Sequence, residues 1–380
     1  MTPSPPAPAP DEPSFGDDSS VIAPMREALA LAAEAIGRSD PNPRVGCVIV
    51  GAGGRVIGRG STQRAGDAHA EVMALRDAAT RGADVRGATV FVSLEPCSHH
   101  GRTPPCADAL VAAGVGRVVM AMRDPNPLVA GRGAARLAAA GIVVEEGVCE
   151  REARELNVGF VSRMERGRPW LRMKAAVSLD GRSALANGVS QWITGDAART
   201  DGHAWRRRAG ATLTGVGTVL EDDPRLDVRL VPTAAQPLRV IVDSRLETPP
   251  RARIVEPPGD VLVFAATDDG ARSDALRQRG VEIVLLPSPA GKVDLPAMLA
   301  ELGRRGINEL HVEAGEKLNA SFLREGLVDE LLVYVAPRLL GEGRGLAALG
   351  PFERFDEALG FCFVDIAPVG DDLRLRLRRA

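Results

Sequence analysis

"DAHAEVMAL", residues 67–75, and "SLEPCSHHGRTPPC", residues 93–106, bring His69, Glu71, Cys97 and Cys106 into one short span of chain. Thiolate and imidazole are the ligands that zinc takes, and a catalytic zinc keeps three protein ligands and leaves its fourth position to water. His69, Cys97 and Cys106 meet that count. Glu71 stands two residues after His69 at what reads as a helix start, so it neighbours the metal without ligating it, placed to take a proton from water and hand it to a departing amine. A closed structural zinc would recruit a fourth ligand, for which His99 and His100 are the candidates, and three unconnected buried residues would need no metal. Neither alternative has a use for Glu71 beside His69, so the catalytic reading is the stronger.

Working outward from this span, the chain alternates helix and strand signals. "PMREALALAAEAI" puts Met25, Leu29, Ala32 and Ile36 on one helical face, and "VGCVIV" is a β-rich run closed by the turn "GAGG". "ATVFVSL", "GRVVMAM" and "GIVVEEG" follow as strands, separated by the helical stretches "CADALVAAG" and "GAARLAAA". The pattern is α/β with a mostly buried sheet. "REARELNVGFVSRMERGRPW" (151–170) reads as a polar helix ending in Gly, Arg and Pro, which puts a domain boundary near 165.

A second alternation then begins. "PWLRMKAAVSLDG", "ATLTGVGTVL", "LRVIVDS", "DVLVFAA", "VEIVLLP", "ELHVEAG" and "ELLVYVAP" read as strands or strand ends, and "DDGARSDALRQRG", "DLPAMLAELGRRG" and "EKLNASFLREG" as helices. The final "DDLRLRLRR" alternates strictly, which predicts Leu373, Leu375 and Leu377 toward a core and Arg374, Arg376 and Arg378 toward water. The arginine run 206–208, with Arg225 and Arg229 after it, reads from spacing alone as a solvated helix face. No G-x-G-x-x-G follows the first strand of this half, and "GEGRG" (341–345) lacks that spacing and reads as a mobile loop.

Bulk properties narrow the function classes. A chain of 380 residues calls for two cores, and its 45% hydrophobic and 26% charged residues are those of a globular protein without an apolar run able to cross a bilayer. Residues 1–20 are rich in Pro, Ser and Asp and read as a disordered tail, without the features of a secretory or transit signal; a cytoplasmic location is the default. Five scattered cysteines do not look like a disulfide framework. A formal net charge of −3 offers no general field for a polyanion, which favours a small-molecule substrate over nucleic acid or membrane.

H-x-E with P-C-x-x-C is the constellation of zinc deaminases, and here "HAE" and "EPC" match it while eight residues, not two, separate the cysteines. "DPNPRVGCVIV", "HAEVMAL", "EPCSHHGRTPPC" and "RDPNPLVAGRG" resemble the deaminase half of the bifunctional riboflavin-biosynthesis deaminase-reductase family, whose own pattern has the long Cys-to-Cys loop. The resemblance implies a cytidine-deaminase-like three-layer domain over 21–165 that binds Zn2+ and hydrolytically deaminates 2,5-diamino-6-ribosylamino-4(3H)-pyrimidinone 5′-phosphate, with Glu71 shuttling the proton. It also puts Asn42, His99 and Arg102 at the substrate, an amide to read a ring edge and donors to hold a phosphate. Taken alone, Asn42 reads equally as a turn residue.

"MKAAVSLDGR", "SQWITG", "TGVGTVLEDDPRLDVR", "IVDS", "VEAGEKLNASFL" and "VDELLVYVAPRLLG" resemble the reductase half of the same family, in the same order. That implies a dihydrofolate-reductase-like α/β domain over 166–380 in which NADPH reduces the ribosyl group of 5-amino-6-(5-phosphoribosylamino)uracil to ribityl. By position, Ala176, Trp192, Thr218, Asp222 and Ser244 fall at the cofactor, as does the segment Gly315, Glu316, Lys317, Leu318, Asn319, Ala320 and Ser321, where a loop enters a helix N-terminus. Ser190, Arg206, Leu226, Arg229 and Glu313 fall at the substrate, arginine suiting its phosphate end. Lys174 or Asp222 is nominated as the acid of the hydride step; as plain structure they read as a strand-edge surface lysine and a turn aspartate. Exposed sheet edges and the family habit point to a homo-oligomer.

Overall fold

The computed structural model describes residues 19–99, 104–127 and 129–379. Ser19 and Ser20, read from sequence as part of the tail, instead open the first helix; the rest of that tail, His100 and Arg102 lie outside the described residues. Contacts divide the chain into two units. The first takes the chain as far as Ala35 together with Pro43–Asn157, the second Ile36–Asn42 together with Val158–Ala380.

In the first unit the elements run α1 (Ser19–Ala33), β1 (Gly46–Val50), β2 (Val56–Ser61), α2 (Ala70–Thr80), β3 (Thr89–Val92), α3 (Cys106–Ala113), β4 (Arg117–Met120), α4 (Arg132–Ala139), β5 (Val143–Glu146) and α5 (Glu150–Leu156). The sheet order is β2-β1-β3-β4-β5, antiparallel through β2, β1 and β3 and parallel from β3 to β5. Strand alternation decides which helix covers which face. A Cβ added to Gly46 would overlap the carbonyl of Ala28 in α1, whereas Cβ atoms on Gly58 and Gly60 would overlap the carbonyls of Ala74 and Ala70 in α2. Gly60 and Gly58 pair across the ladder with Cys47 and Ile49, so these residues share the α2 face, while Gly46 and its partner face α1. A three-layer α/β/α unit results, as the resemblance implied.

Helix α1 buries Met25, Ala28 and Ala32, with Ala35 beyond its end, where the sequence had suggested Met25, Leu29, Ala32 and Ile36. The small residues win because the helix lies against the backbone at Gly46, where leucine and isoleucine have no room. The stretch 151–170, expected as one helix with a boundary near 165, is two helices broken at Asn157. The Asn157 side chain accepts from Arg44 N–H at 2.8 Å and donates to Arg44 C=O at 2.9 Å. The division between units falls at 157/158.

The second unit runs α6 (Val158–Arg166), β6 (Trp170–Ser178), β7 (Arg182–Leu185), α7 (Asp196–Arg208), β8 (Ala211–Gly215), α8 (Val216–Asp222), β9 (Leu238–Val242), β10 (Val261–Ala265), α9 (Gly270–Arg277), β11 (Glu282–Leu285), α10 (Leu295–Arg304), β12 (Glu309–Val312), α11 (Glu316–Arg324), β13 (Glu330–Ala336), β14 (Gly343–Gly345), β15 (Phe361–Val369) and β16 (Asp372–Arg379). The large sheet has the order β11-β10-β9-β8-β12-β6-β13-β16-β15; its strands from β11 to β13 are parallel and β16 is antiparallel to both neighbours. "ATLTGVGTVL" is strand only to Gly215 and then turns into α8. "GEGRG" is not a free loop, since β14 pairs with β7 and Arg344 binds Glu221 at 2.6 Å.

Odd and even residues along the strands separate into two layers. Leu171, Met173, Leu310, Val312, Leu331 and Val333 join the apolar core beneath α10 and α11. Their alternates, Arg172, Lys174, Glu309, His311 and Glu330, lie on the face that carries α7. There the sequence reading fails, because Arg374, Arg376 and Arg378 are not solvated. Arg376 and Arg378 bind the fully buried Glu330 at 2.9 and 3.1 Å, and Arg374 binds Asp201 and Asp365. Arg172 joins Glu330 to Glu309, and Arg208 of the supposedly solvated run also binds Glu309. The Trp205 ring has Arg172 at 4.4 Å, Arg376 at 5.3 Å and Arg374 at 5.8 Å. Leu375 and Leu377 do pack on the core, while Leu373 near the strand's start is 47% exposed.

Candidate active sites

The glycine face of β2 holds α2 close, and α2 presents its N-terminus with His69 as the capping residue. Ala70, Ala74 and Ala78, all fully buried, form the small-residue stripe that makes this approach possible. Cys106 is the first residue of α3, and Cys97 lies in the loop after β3, tied back by Ala107 N–H to its carbonyl at 3.1 Å. His69 Nδ1 is 3.6 Å from Cys97 Sγ and 3.3 Å from Cys106 Sγ, and the three donor atoms lie within 4.8 Å of one another. A tetrahedral zinc with ordinary Zn–N and Zn–S bonds has donor–donor edges of about 3.5 Å, so the donor set fits the ion in both chemistry and spacing.

The two thiols act on each other in opposite directions: the hydrogen bond to Cys97 and burial push the Cys106 thiol up, and Cys97 takes the negative charge. The Cys106 thiol holds Cys97 down at about 4, against an opposing push from burial, with His69 adding to the effect. Helix N-termini at both ligand-bearing helices favour negative charge on the sulfur. Glu71, in the first turn of α2, is buried; desolvation first, and then the charge of Cys97, raise its carboxyl to about 7. Cys47 points to the same face from β1, and burial followed by the Glu71 charge pushes its thiol up.

Glu95, which the sequence reading passed over, organises this region. Its carboxylate accepts backbone N–H groups from Asp124, Gly131, Gly133 and Ala134 at 2.8–3.2 Å, so one buried residue next to the Cys97 loop fixes the segment entering α4. Gly133 is required there, since a Cβ would overlap the Pro96 carbonyl. The signal in the sequence was the acidic residue of "EPC" paired with the glycines of "AGRG". His99 is exposed in the loop, and Asn42 sits in a turn with its N–H on the Ser39 carbonyl at 2.8 Å, in the segment whose contacts belong to the second unit.

In the second unit most of the predicted cofactor residues stand at or past the carboxyl ends of parallel strands, where open α/β sheets bind ligands. Ala176 is near the end of β6, Thr218 and Asp222 lie in α8 after β8, Ser244 follows β9, and Gly315 caps α11 after β12. A Cβ on Gly315 would stand 3.6 Å from Thr218 Oγ1, which shows how closely the starts of α8 and α11 approach. Asn319 donates its side-chain amide to the carbonyls of Ala314 and Leu346, Ser321 donates its hydroxyl to that of Lys317, and Ala320 is buried. Ser244 Oγ accepts from Val293 N–H. Glu316 and Lys317 begin α11, Leu318 packs against Gly215, and Trp192 is 59% exposed beneath the Arg199 guanidinium.

Of the predicted substrate residues, Arg206 meets Glu313, which lies just past β12, while Ser190 pairs with Asp222 and Arg229 with Asp227. Arg206 grips it with two nitrogens, one at 3.0 Å, and Lys174 lies 3.4 Å away. Burial pushes the Glu313 carboxyl up, but Arg206 and then Lys174 outweigh it and hold it well below the usual range. Lys174 is therefore no edge residue: β6 lies between β12 and β13. Arg206 Nη1 donates to the Asp227 carbonyl at 3.0 Å, and the Asp227 carboxylate takes Arg225 at 3.1 Å and Arg229 at 2.7 Å. Leu226 is buried with φ 52°. Ser190 hydrogen-bonds Asp222, whose carboxyl desolvation and Glu221 raise. His203 on α7, His311 on β12 and Asp227 in the segment after α8 complete the cluster and were missed, because single polar residues carry no motif.

Residues 19–122 match the family model of the cytidine and deoxycytidylate deaminase zinc-binding region, and residues 169–375 that of the RibD C-terminal domain. The riboflavin biosynthesis protein RibD of Escherichia coli (strain K12) is 48% identical over 366 residues, 93% of this chain and 98% of the relative. Among solved structures, RibD of Acinetobacter baumannii gives a TM-score of 0.87 at 43% identity, covering 95% of this chain and 99% of that one. A Thermotoga maritima protein described as a diaminohydroxyphosphoribosylaminopyrimidine deaminase/5-amino-6-(5-phosphoribosylamino)uracil reductase gives 0.85 at 34% identity, with coverage of 95% and 99%.

Proposed function

The chain belongs to the RibD family of bifunctional riboflavin-biosynthesis deaminase-reductases, and from that premise we propose the chemistry of its two sites. The first deaminates 2,5-diamino-6-ribosylamino-4(3H)-pyrimidinone 5′-phosphate, and the second reduces the resulting ribosylamino uracil phosphate with NADPH. The observation that carries the first assignment is the grouping of one imidazole and two thiols beside the buried carboxyl of Glu71. His69, Cys97 and Cys106 hold zinc, which when bound supplies Lewis acidity and makes water a better acid. Glu71 takes a proton from the attacking water and delivers it to the amine leaving the ring carbon, so that water is consumed and ammonia released. Its place supports this role, since it is buried in the first turn of α2, two residues from the ligand His69. His99, Arg102 and Asn42 are assigned to the pyrimidine phosphate.

In the second site the residues that would hold NADPH are Ala176, Trp192, Thr218, Asp222, Ser244 and the Gly315–Ser321 segment, most of them at or past the carboxyl ends of β6, β8, β9 and β12. Arg229, exposed and anchored through Asp227, takes the substrate phosphate, and Ser190, Leu226, Arg206 and Glu313 frame the sugar. Reduction adds hydride to C1′ and a proton to the ring oxygen as the ribose opens; Lys174, held by Glu313, is the group assigned to that proton. The substrates are small molecules, and among the described residues no helix is long and apolar enough to cross a membrane.

The test supplies purified protein with the diaminopyrimidinone ribosyl phosphate and follows ammonia release and NADPH oxidation together, in wild type and Glu71→Ala, with bound zinc quantified. Both signals in the wild type and neither in the variant, at equal zinc, is the expected result. Ammonia without NADPH loss would overturn the second-site assignment, and silence in zinc-loaded wild type would overturn the substrate.

A further inference from the structure

We propose that His203, on α7, is a positioning residue for the reductase reaction: it locks the Arg229 backbone and confines the Arg206 guanidinium so that both present a fixed face to the pyrimidine substrate. The inference rests on the assignment of Arg206 and Arg229 to that substrate. His203 is buried, and its Nδ1 lies 3.2 Å from the backbone N of Arg229. The Arg229 amide and the Arg206 guanidinium can both only donate, and a neutral ring accepts at one nitrogen; the amide is the closer, at 3.2 against 3.4 Å, which assigns the lone pair to Nδ1 and the proton to Nε2. Nε2 then faces Arg206 Nη1 at 3.4 Å, donor against donor. That contact is steric and electrostatic confinement. It keeps the guanidinium on its two other holds, the Glu313 carboxylate and the Asp227 carbonyl.

The charges around the imidazole favour this neutral form. Arg206 comes from its own helix, Asp227 and Arg229 from the segment after α8, and Glu313 from the end of β12; desolvation first, and then the two arginines, depress the ring to about 4. A protonated ring would set an N–H against the Arg229 amide and a cation between two others, loosening both grips together. One imidazole thus couples the α7 arginine to the Asp227–Arg229 turn, with no need to touch substrate.

The experiment exploits side-chain geometry. In His203→Asn the amide oxygen reaches the place of Nδ1, whereas in His203→Gln the amide extends toward Nε2 and leaves the Arg229 N–H without an acceptor. Full-length variants are assayed for reduction with each substrate varied, alongside Arg206→Lys and with deaminase turnover as a check on the preparation. His203→Gln is expected to raise KM for the pyrimidine substrate roughly tenfold, with kcat and the KM for NADPH within about twofold of wild type, and His203→Asn to restore most of the loss. Equal pyrimidine KM values in the two His203 variants would overturn the positioning role. If Arg206→Lys leaves that KM unaltered, the substrate assignment itself falls, a result distinct from the failure of His203 alone.

Discussion

The two sites are built by opposite means. The deaminase site depends on close backbone approach: Gly58 and Gly60 let α2 press onto β2, and His69 and Glu71 are delivered by a helix end that cannot shift. The site proposed for reduction depends on charge. Arg206, Lys174 and Glu313 come from a helix and two strand regions, and they stay in place through ion pairs whose second layer is the buried Glu309–Arg172–Glu330 network under α7. Fixing a site by shape makes it sensitive to a single methyl group. Fixing it by charge makes it sensitive to a single proton.

That contrast can be broken or sharpened. The largest effect is expected at Glu71: Glu71→Gln should lower deaminase kcat by about 10³-fold with reductase turnover intact, read by separate assays of the two activities. Next comes the charged layer. Glu330→Gln leaves Arg376 and Arg378 without their buried anion and Arg172 with Glu309 alone, and should cost about 3–5 kcal/mol of stability in the second unit, measured by denaturant unfolding. The sign with pH follows. Burial raises the Glu330 carboxyl, but Arg172 and Arg376 override it and set it at about 2, below an ordinary glutamate, so its contribution is whole above about pH 4.5 and drains away as pH falls toward 2. Glu330→Gln should flatten that acid limb; an unchanged limb would mean that charge is not what holds this site.

Gly60→Ala tests the other half. Its methyl group must displace Ala70, and a cost of about 1–3 kcal/mol with loss of deaminase activity is expected, while reduction persists. Full deaminase activity in a stable Gly60→Ala protein would dissolve the distinction between the sites. The smallest effect is expected at Glu95→Gln, which keeps one acceptor oxygen and turns the other into a donor against backbone N–H groups; about 1–2 kcal/mol should be lost from the first unit in thermal unfolding.

The same contrast explains what could be read from sequence. The grouping of His69, Cys97 and Cys106 was legible because the motif's spacing carries it, and the strands were legible from apolar runs. The Gly58, Gly60 and Ala70, Ala74, Ala78 faces were present but pair residues on different elements, which no local window joins. In the second unit, period two correctly turned Leu375 and Leu377 inward. It sent Arg374, Arg376 and Arg378 to water because nothing in "DDLRLRLRR" reveals that Trp205 and Glu330 wait on the other face. A run of arginines looks the same to a sequence whether it meets solvent or a buried carboxylate. The break at Asn157 was hidden likewise, since its partner Arg44 lies far back along the chain.

The stacking of Trp205 against guanidinium groups has an optical consequence. All three tryptophans, Trp170, Trp192 and Trp205, fall in the second unit, and each ring has at least one arginine over it. Intrinsic tryptophan emission is therefore a private signal of the reductase half, with the deaminase half dark. Trp205 and Trp170 report whether the charged layer is intact, and exposed Trp192, at a position assigned to the cofactor, is the fluorophore for watching a nicotinamide arrive. The unfolding of one half and the loading of its site can be followed in the whole chain without attaching a dye.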